Sequence, residues 1–160
     1  MVAHFTGHRP SKLNGYKPED NKELLWRLHD CIVDHIQKNN VDTFITGMAL
    51  GIDMWAAKIV VKLKQQYPFL KLICAIPCKG QDKMWNEVDK SVYQGILDVA
   101  DQVIYVSEEE YQPYLMQKRN EWMTDKSQYV IAVWDGSSGG TGNCVKYAQK
   151  QDKNIYIIRP

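Results

Sequence analysis

Three segments of this 160-residue chain bring glycine together with residues that carry charge or donate hydrogen bonds. They are Thr6-Gly7-His8-Arg9, Gly47-Met48-Ala49-Leu50-Gly51-Ile52-Asp53, and Asp135-Gly136-Ser137-Ser138-Gly139-Gly140-Thr141-Gly142-Asn143. Glycine lets backbone N–H groups approach a ligand with no Cβ in the way, and a helix that begins just after such a loop offers unpaired amides and a positive dipole end. Those features suit phosphate. Arg9 and Arg119 add planar guanidinium groups, which grip phosphate oxygens in pairs better than an ammonium does. The expected arrangement has Arg119 and the amides around Gly140 holding the phosphate, with Arg9 closing over it and folding indifferent to the loss of Arg119.

Asp53 sits in the first turn of a helical stretch, where its carboxylate complements the helix dipole or faces the ligand. His8 has no Cys or His at a metal-ligand spacing, so no metal site is expected. Trp85 follows Lys79-Gly80-Gln81 and either stacks on a base or shields a sheet edge. Cys74 and Cys78 read as buried thiols. Trp26, Trp55 and Trp134 are expected in the core.

These residues need elements to position them. Short apolar runs alternate with longer stretches of helical period, the signature of βα units around a parallel sheet. The runs cover residues 2–6, 43–46, 71–76, 102–106, 129–134 and 155–158. Between them, Leu24, Leu28, Cys31, Ile32, His35 and Ile36 share one helical face, and Ile52, Trp55, Ala56, Ile59, Val60 and Leu63 another. Trp85, Val88, Val92, Ile96 and Val99 repeat the pattern, Met116, Asn120 and Met123 mark a fourth helix opened by Pro113, and a fifth runs over 143–150. Six strands and five helices predict an α/β fold of Rossmann-like type, a doubly wound, mainly parallel sheet with helices on both faces, formed by residues 1–160 as a single domain. Ligands of such sheets bind beyond the carboxyl ends of the strands, where all three glycine loops fall. Residues 9–19, with their prolines, glycine and polar side chains, read as a loop that covers something. Strand order is not fixed by the pattern.

Twenty Lys and Arg against nineteen Asp and Glu leave a net charge of +1, so no global field favours nucleic acid or an anionic membrane, and an anion site must be local. No stretch approaches the roughly 18 apolar residues of a membrane span, and the first residues lack the charged and apolar regions of a secretion signal. Four cysteines scattered through apolar segments fit reduced thiols and a cytoplasmic protein.

Thr6-Gly7-His8-Arg9-Pro10, the Gly47 to Asp53 segment, the Gln81 and Trp85 pair, and Met116-Gln117-Lys118-Arg119-Asn120 together resemble the YpsA family. That family belongs to the SLOG superfamily, with the DNA-processing protein DprA and the Lonely Guy enzymes. The resemblance covers essentially the whole chain and implies a Rossmann-like fold with a nucleotide-type ligand site. Lonely Guy enzymes cleave the N-glycosidic bond of nucleoside monophosphates and carry M-x-x-R-K-x-x-M and P-G-G-x-G-T-x-x-E. Met116 to Met123 is similar to the first, with Asn120 in place of lysine; Ser138 to Lys146 follows the second in its glycines but places Lys146 where the glutamate stands. A lysine cannot stabilise an oxocarbenium ion or activate water as a carboxylate does.

The leading expectation is therefore a module that senses or sequesters a phosphate-bearing nucleotide or an ADP-ribose-like metabolite, with no certain cofactor. A nucleotide or nucleoside hydrolase or transferase, with Asp53, Asp135 or a glutamate elsewhere as its acid, comes second. Single-stranded DNA binding of the DprA kind comes third, opposed by the near-neutral charge. A protein partner or self-association is left open.

Overall fold

Each apolar run becomes a strand and each periodic stretch a helix in a computed structural model that describes residues 1–160. In chain order these are β1 (Val2–Gly7), α1 (Lys22–Lys38), β2 (Thr43–Thr46), α2 (Ile52–Leu63), β3 (Lys71–Ile76) and α3 (Glu87–Val99). There follow β4 (Gln102–Tyr105), α4 (Pro113–Asp125), β5 (Tyr129–Val133), α5 (Gly140–Lys150) and β6 (Asn154–Ile158). All six strands are parallel, in the order β4-β3-β2-β1-β5-β6. The chain winds outward from β1 to β4, then crosses back to β5 on the other side of β1. Winding direction reverses between β1 and β5, the point at which an open α/β sheet leaves a crevice at its carboxyl edge.

Helix α2 packs against α1 and α3 and on β1, β2 and β3, whereas α4 and α5 pack together on the opposite face. The core lies between sheet and helices, with Phe5 and Phe44 stacked at 5.5 Å between ring centroids. The predicted face of α1 is buried throughout, and that of α2 is buried except for half-buried Ile59. All four cysteines are buried free thiols, and burial pushes Cys31 and Cys74 up to about 12, so both stay protonated.

Several boundaries and faces differ from expectation. On α3 the inward residues are Tyr93 and Ile96, while Val88 and Val99 are 73% and 55% exposed. Asn86 Oδ1 accepts the Asp89 amide at 2.8 Å as the N-cap, so the helix starts after Trp85 and leaves it outside. Trp26 is not in the core but 68% exposed, on the side of α1 away from Leu24 and Leu28; Trp55 is buried and Trp134 half-buried. Strand β1 extends to Gly7, β4 and β5 stop at Tyr105 and Val133, and β6 begins at Asn154. Helix α5 starts at Gly140 rather than 143, because Thr141 and Gly142 pack inward and tertiary burial overrides the weak helix propensity of glycine. The presumed covering loop is ordered by two 3₁₀ turns, Pro10–Lys12 and Pro18–Asn21. Asn21 pins it by donating to the Gly15 and Lys17 carbonyls at 3.0 Å. No helix is long and apolar enough to cross a membrane.

Two glycines predict opposite responses to alanine. Gly51 holds φ +92, and a Cβ there would lie 2.7 Å from the His8 carbonyl oxygen. Gly51→Ala should lower the unfolding free energy by about 1–3 kcal/mol, the usual cost of a strained backbone position. A Cβ on Gly95 in α3 would meet nothing within 4 Å, so Gly95→Ala should raise stability by about 0.5–1 kcal/mol. Urea denaturation midpoints check both signs.

Candidate functional site

The crevice between β1 and β5 holds a cavity of about 250 Å³. Thr6, His8 and Arg9 enter from the exit of β1, and Ser11 and Lys12 from the first 3₁₀ turn. Ala49 and Asp53 come from the β2–α2 connection, Met116, Arg119 and Asn120 from α4, and residues 137–142 from the β5–α5 loop and first turn of α5. The three glycine-bearing segments thus meet around one space.

One wall is the N-terminus of α5. The first α5 amide with a backbone partner is that of Asn143, bonded to the Gly139 carbonyl at 2.9 Å, and the helix has no side-chain cap. The amides of Gly140, Thr141 and Gly142 are therefore unpaired donors beside the cavity, at the positive end of the helix dipole. Lys12 reaches over them, its Nζ 3.4 Å from Ser137 Oγ and 3.5 Å from the Ser138 carbonyl. Arg9 is exposed at the mouth and forms no ion pair, although Asp53 is close enough to feel its charge.

The loop that presents α5 is tied to β1 by His8. The Asp135 amide donates to buried His8 Nε2 at 3.1 Å, and Asp135 Oδ1 lies 3.0 Å from the same nitrogen. The Ser137 hydroxyl and amide hold the Asp135 carboxyl well below the usual carboxylate range.

The floor is a buried charge cluster. Arg119 Nη1 donates to the carbonyls of Gly47 and Ala75, the latter at 3.2 Å, and Nε donates to Asn120 Oδ1 at 2.9 Å. Nη2 has no protein partner. Asp53 Oδ2 accepts the Ala49 amide at 3.3 Å, and Thr46 Oγ1 donates to the Asp53 carbonyl at 2.8 Å. Burial lifts the Asp53 carboxyl to about 6, against the opposing pull of Arg119, the Ala49 amide and Arg9.

The expectation that Arg119 is dispensable to the fold gives way: it is 3% exposed and bonds the ends of two strands, so its removal takes a donor from the Ala75 carbonyl and leaves the Gly47 carbonyl only the 3.4 Å contact from Gln81 Nε2. Thr6, His8, Arg9, Ala49, Asp53, Arg119, Asn120, Gly139, Gly140, Thr141 and Gly142 line the cavity. Gly7, Gly47, Met48, Gly51, Asp135 and Asn143 do not. Gly7 packs on Ile52, Gly47 carries the Arg119 guanidinium, and Met48 is buried with φ +60, its amide donating to Thr46 Oγ1. Asp135 acts through His8, and Asn143 points to solvent. Gln81 and Trp85 line a neighbouring cavity of about 430 Å³ that shares Arg9, Ala49 and Met116 with the first. Ser11 and Lys12 escaped the sequence reading; the proline that starts a turn directly after Arg9 was the available signal. Lys146 is exposed on α5 and does not line the cavity.

Comparison with known proteins agrees with this architecture. The chain is 45% identical over 139 residues to the uncharacterized SPbeta prophage-derived protein YoqJ of Bacillus subtilis (strain 168), covering 80% of this chain and 81% of that protein. It is 31% identical over 160 residues to a UPF0398 protein of Bacillus pumilus, covering 96% and 82% of the two chains. Among solved structures, DNA processing protein A from Helicobacter pylori, described for its single-stranded DNA binding mode, superposes with a TM-score of 0.65 at 19% identity. DprA from Streptococcus pneumoniae does so with a TM-score of 0.63 at 16% identity. The match covers 98% and 97% of this chain but only 64% and 49% of those proteins, and at such identities it establishes the fold alone. The family model for YpsA, described as the YspA SLOG family, matches residues 3–160. With that match spanning nearly its whole length, the chain belongs to the YpsA family of SLOG proteins.

Proposed function

We propose that the crevice between β1 and β5 binds the phosphate of a nucleotide or nucleotide-derived small molecule, and that the protein works as a sensor or sequestering module for it. The observation that carries this reading is the set of three unpaired α5 amides beside a cavity also lined by Lys12 and Arg9. Fixed N–H donors, a helix dipole and two cations answer an anion with distributed oxygens. Arg119 adds charge from below, with Nη2 available. The His8–Asp135 contact holds the donor loop in place before any ligand arrives, which lowers the ordering cost of binding.

Calorimetric titration with AMP, ADP-ribose and a single-stranded oligonucleotide tests this. A nucleotide should bind, and Lys12→Ala should weaken it on the order of tenfold to a hundredfold, the loss of one charge-assisted contact. An unchanged affinity in Lys12→Ala, or no binding of any phosphate compound, would contradict the reading. An oligonucleotide that binds more tightly than every mononucleotide would replace it with DNA binding, as described for the Helicobacter DprA.

Asp53 supports a second reading, hydrolysis or transfer at the N-glycosidic bond. A buried carboxyl on the cavity wall, lifted by burial to about 6, has the placement and the raised proton affinity of a general acid or base. Release of free adenine from AMP, absent in Asp53→Asn, would establish it; no release supports binding without turnover.

The Asp53 carboxyl also predicts a pH dependence of stability. Its folded value of about 6 lies above the ordinary 3.8, so between those limits the folded chain holds a proton that the unfolded chain has lost. The Asp53 contribution to stability is therefore fullest below about pH 4 and is lost as pH rises through about 6. Asp53→Asn should gain on the parent by on the order of 2–3 kcal/mol between pH 4 and pH 7. Chemical denaturation of both proteins at the two pH values checks the sign.

A further inference from the structure

We infer that the second cavity is a subsite for the aromatic base of the same ligand, so that the site selects nucleotides over sugar phosphates. This rests on the phosphate reading of the first cavity. The two spaces share Arg9, Ala49 and Met116 as lining residues and are therefore neighbours, but their chemistry differs. The first is polar, lined by amides, hydroxyls and cations; the second, at about 430 Å³, presents Leu50, Trp85, Tyr111 and Met116. A molecule that is anionic at one end and flat and apolar at the other satisfies both.

The aromatic wall is prepared for stacking. The Trp85 indole meets buried Tyr93 edge-on at 5.2 Å and 86°, and its backbone amide donates to the Asp82 carbonyl at 3.0 Å, so the ring is held before a ligand enters. Tyr111, which lines the same cavity, is 55% exposed and its hydroxyl makes no hydrogen bond within the protein. Such aromatic surface left open beside an anion site is what a nucleobase covers by stacking, whatever its sequence of ring substituents. No carboxylate lines this cavity; its charges are Arg9 and Lys83, which disfavours a cationic occupant. Arg9 borders both spaces, where its guanidinium can reach the phosphate nearest the base.

The test compares AMP with ribose 5-phosphate, which keeps the sugar phosphate and lacks the base, by calorimetry on the parent, Trp85→Ala, Trp85→Phe and Tyr111→Ala. AMP should bind the parent at least about tenfold more tightly than ribose 5-phosphate, the usual worth of one base stacked on an aromatic side chain. Trp85→Ala and Tyr111→Ala should each erode that margin while leaving ribose 5-phosphate affinity unchanged, and Trp85→Phe should restore it. Tyr111 is an exposed residue outside any helix or strand, so its variant folds even if Trp85→Ala does not. Equal affinity for the two probes in the parent, or an equal loss of both in Tyr111→Ala, would overturn the base subsite while leaving the phosphate site standing. Failure of both probes to bind the parent would overturn the phosphate reading and this inference with it.

Discussion

Arg119 is the one arginine or lysine buried in the protein, and it lies where three separate stretches of chain must be kept in register. A guanidinium taken out of water costs several kcal/mol unless its N–H groups and charge are answered. Here the carbonyls of Gly47 and Ala75 and the Asn120 amide oxygen answer the donors, and Asp53 supplies the opposing charge. The carboxyl ends of β2 and β3 are thereby tied to α4. With Gly47 fixed, Met48 is carried through a left-handed conformation between Gly47 and Ala49, and the Ala49 amide and the Asp53 carboxyl stand on the cavity wall.

On the other side of the crevice the same task falls to a smaller contact. His8 at the end of β1 receives the Asp135 amide, and Asp135 in turn receives Ser137, so the glycine-rich loop arrives at α5 in one conformation. Between a floor anchored by Arg119 and a wall anchored by His8, the three amides of α5 are left without protein partners. Thr141 and Gly142 are buried and Gly140 is exposed, and donors that the fold leaves without partners are ones a ligand can satisfy. The chemistry of that ligand follows from the donors, and the reversal of winding between β1 and β5 explains why they collect there and nowhere else on the sheet.

Much of this was legible in the residues. The strands follow from short β-branched runs, and the gathering of Thr6, Asp53 and Gly140 follows once those runs are placed in a parallel sheet, whose carboxyl ends share an edge. Strand order did not follow, because it is decided by long-range pairing that leaves no local pattern. Helix α3 misled because Val88 and Val99 are apolar but sit off the face that turns Tyr93 and Ile96 inward, and Trp26 because a large aromatic residue is as easily carried outward on a helix as inward. Arg119 looked like a ligand residue by its spacing, yet its guanidinium is mostly spent on backbone carbonyls, a use visible only when Gly47 and Ala75 are brought to it. Lys12 went unread for the converse reason: the proline after Arg9 signals a turn, but not that the turn lifts Lys12 over Ser137.

The most direct measurement is the amide spectrum of nitrogen-15-labelled protein titrated with ADP-ribose. The account predicts saturable shifts in the Gly140, Thr141 and Gly142 amides, where the phosphate would accept hydrogen bonds, with Gly95 on α3, which lines neither cavity, unmoved. Saturable shifts that spare the α5 amides and fall elsewhere on the surface would contradict it, as would a spectrum that no phosphate-bearing compound alters.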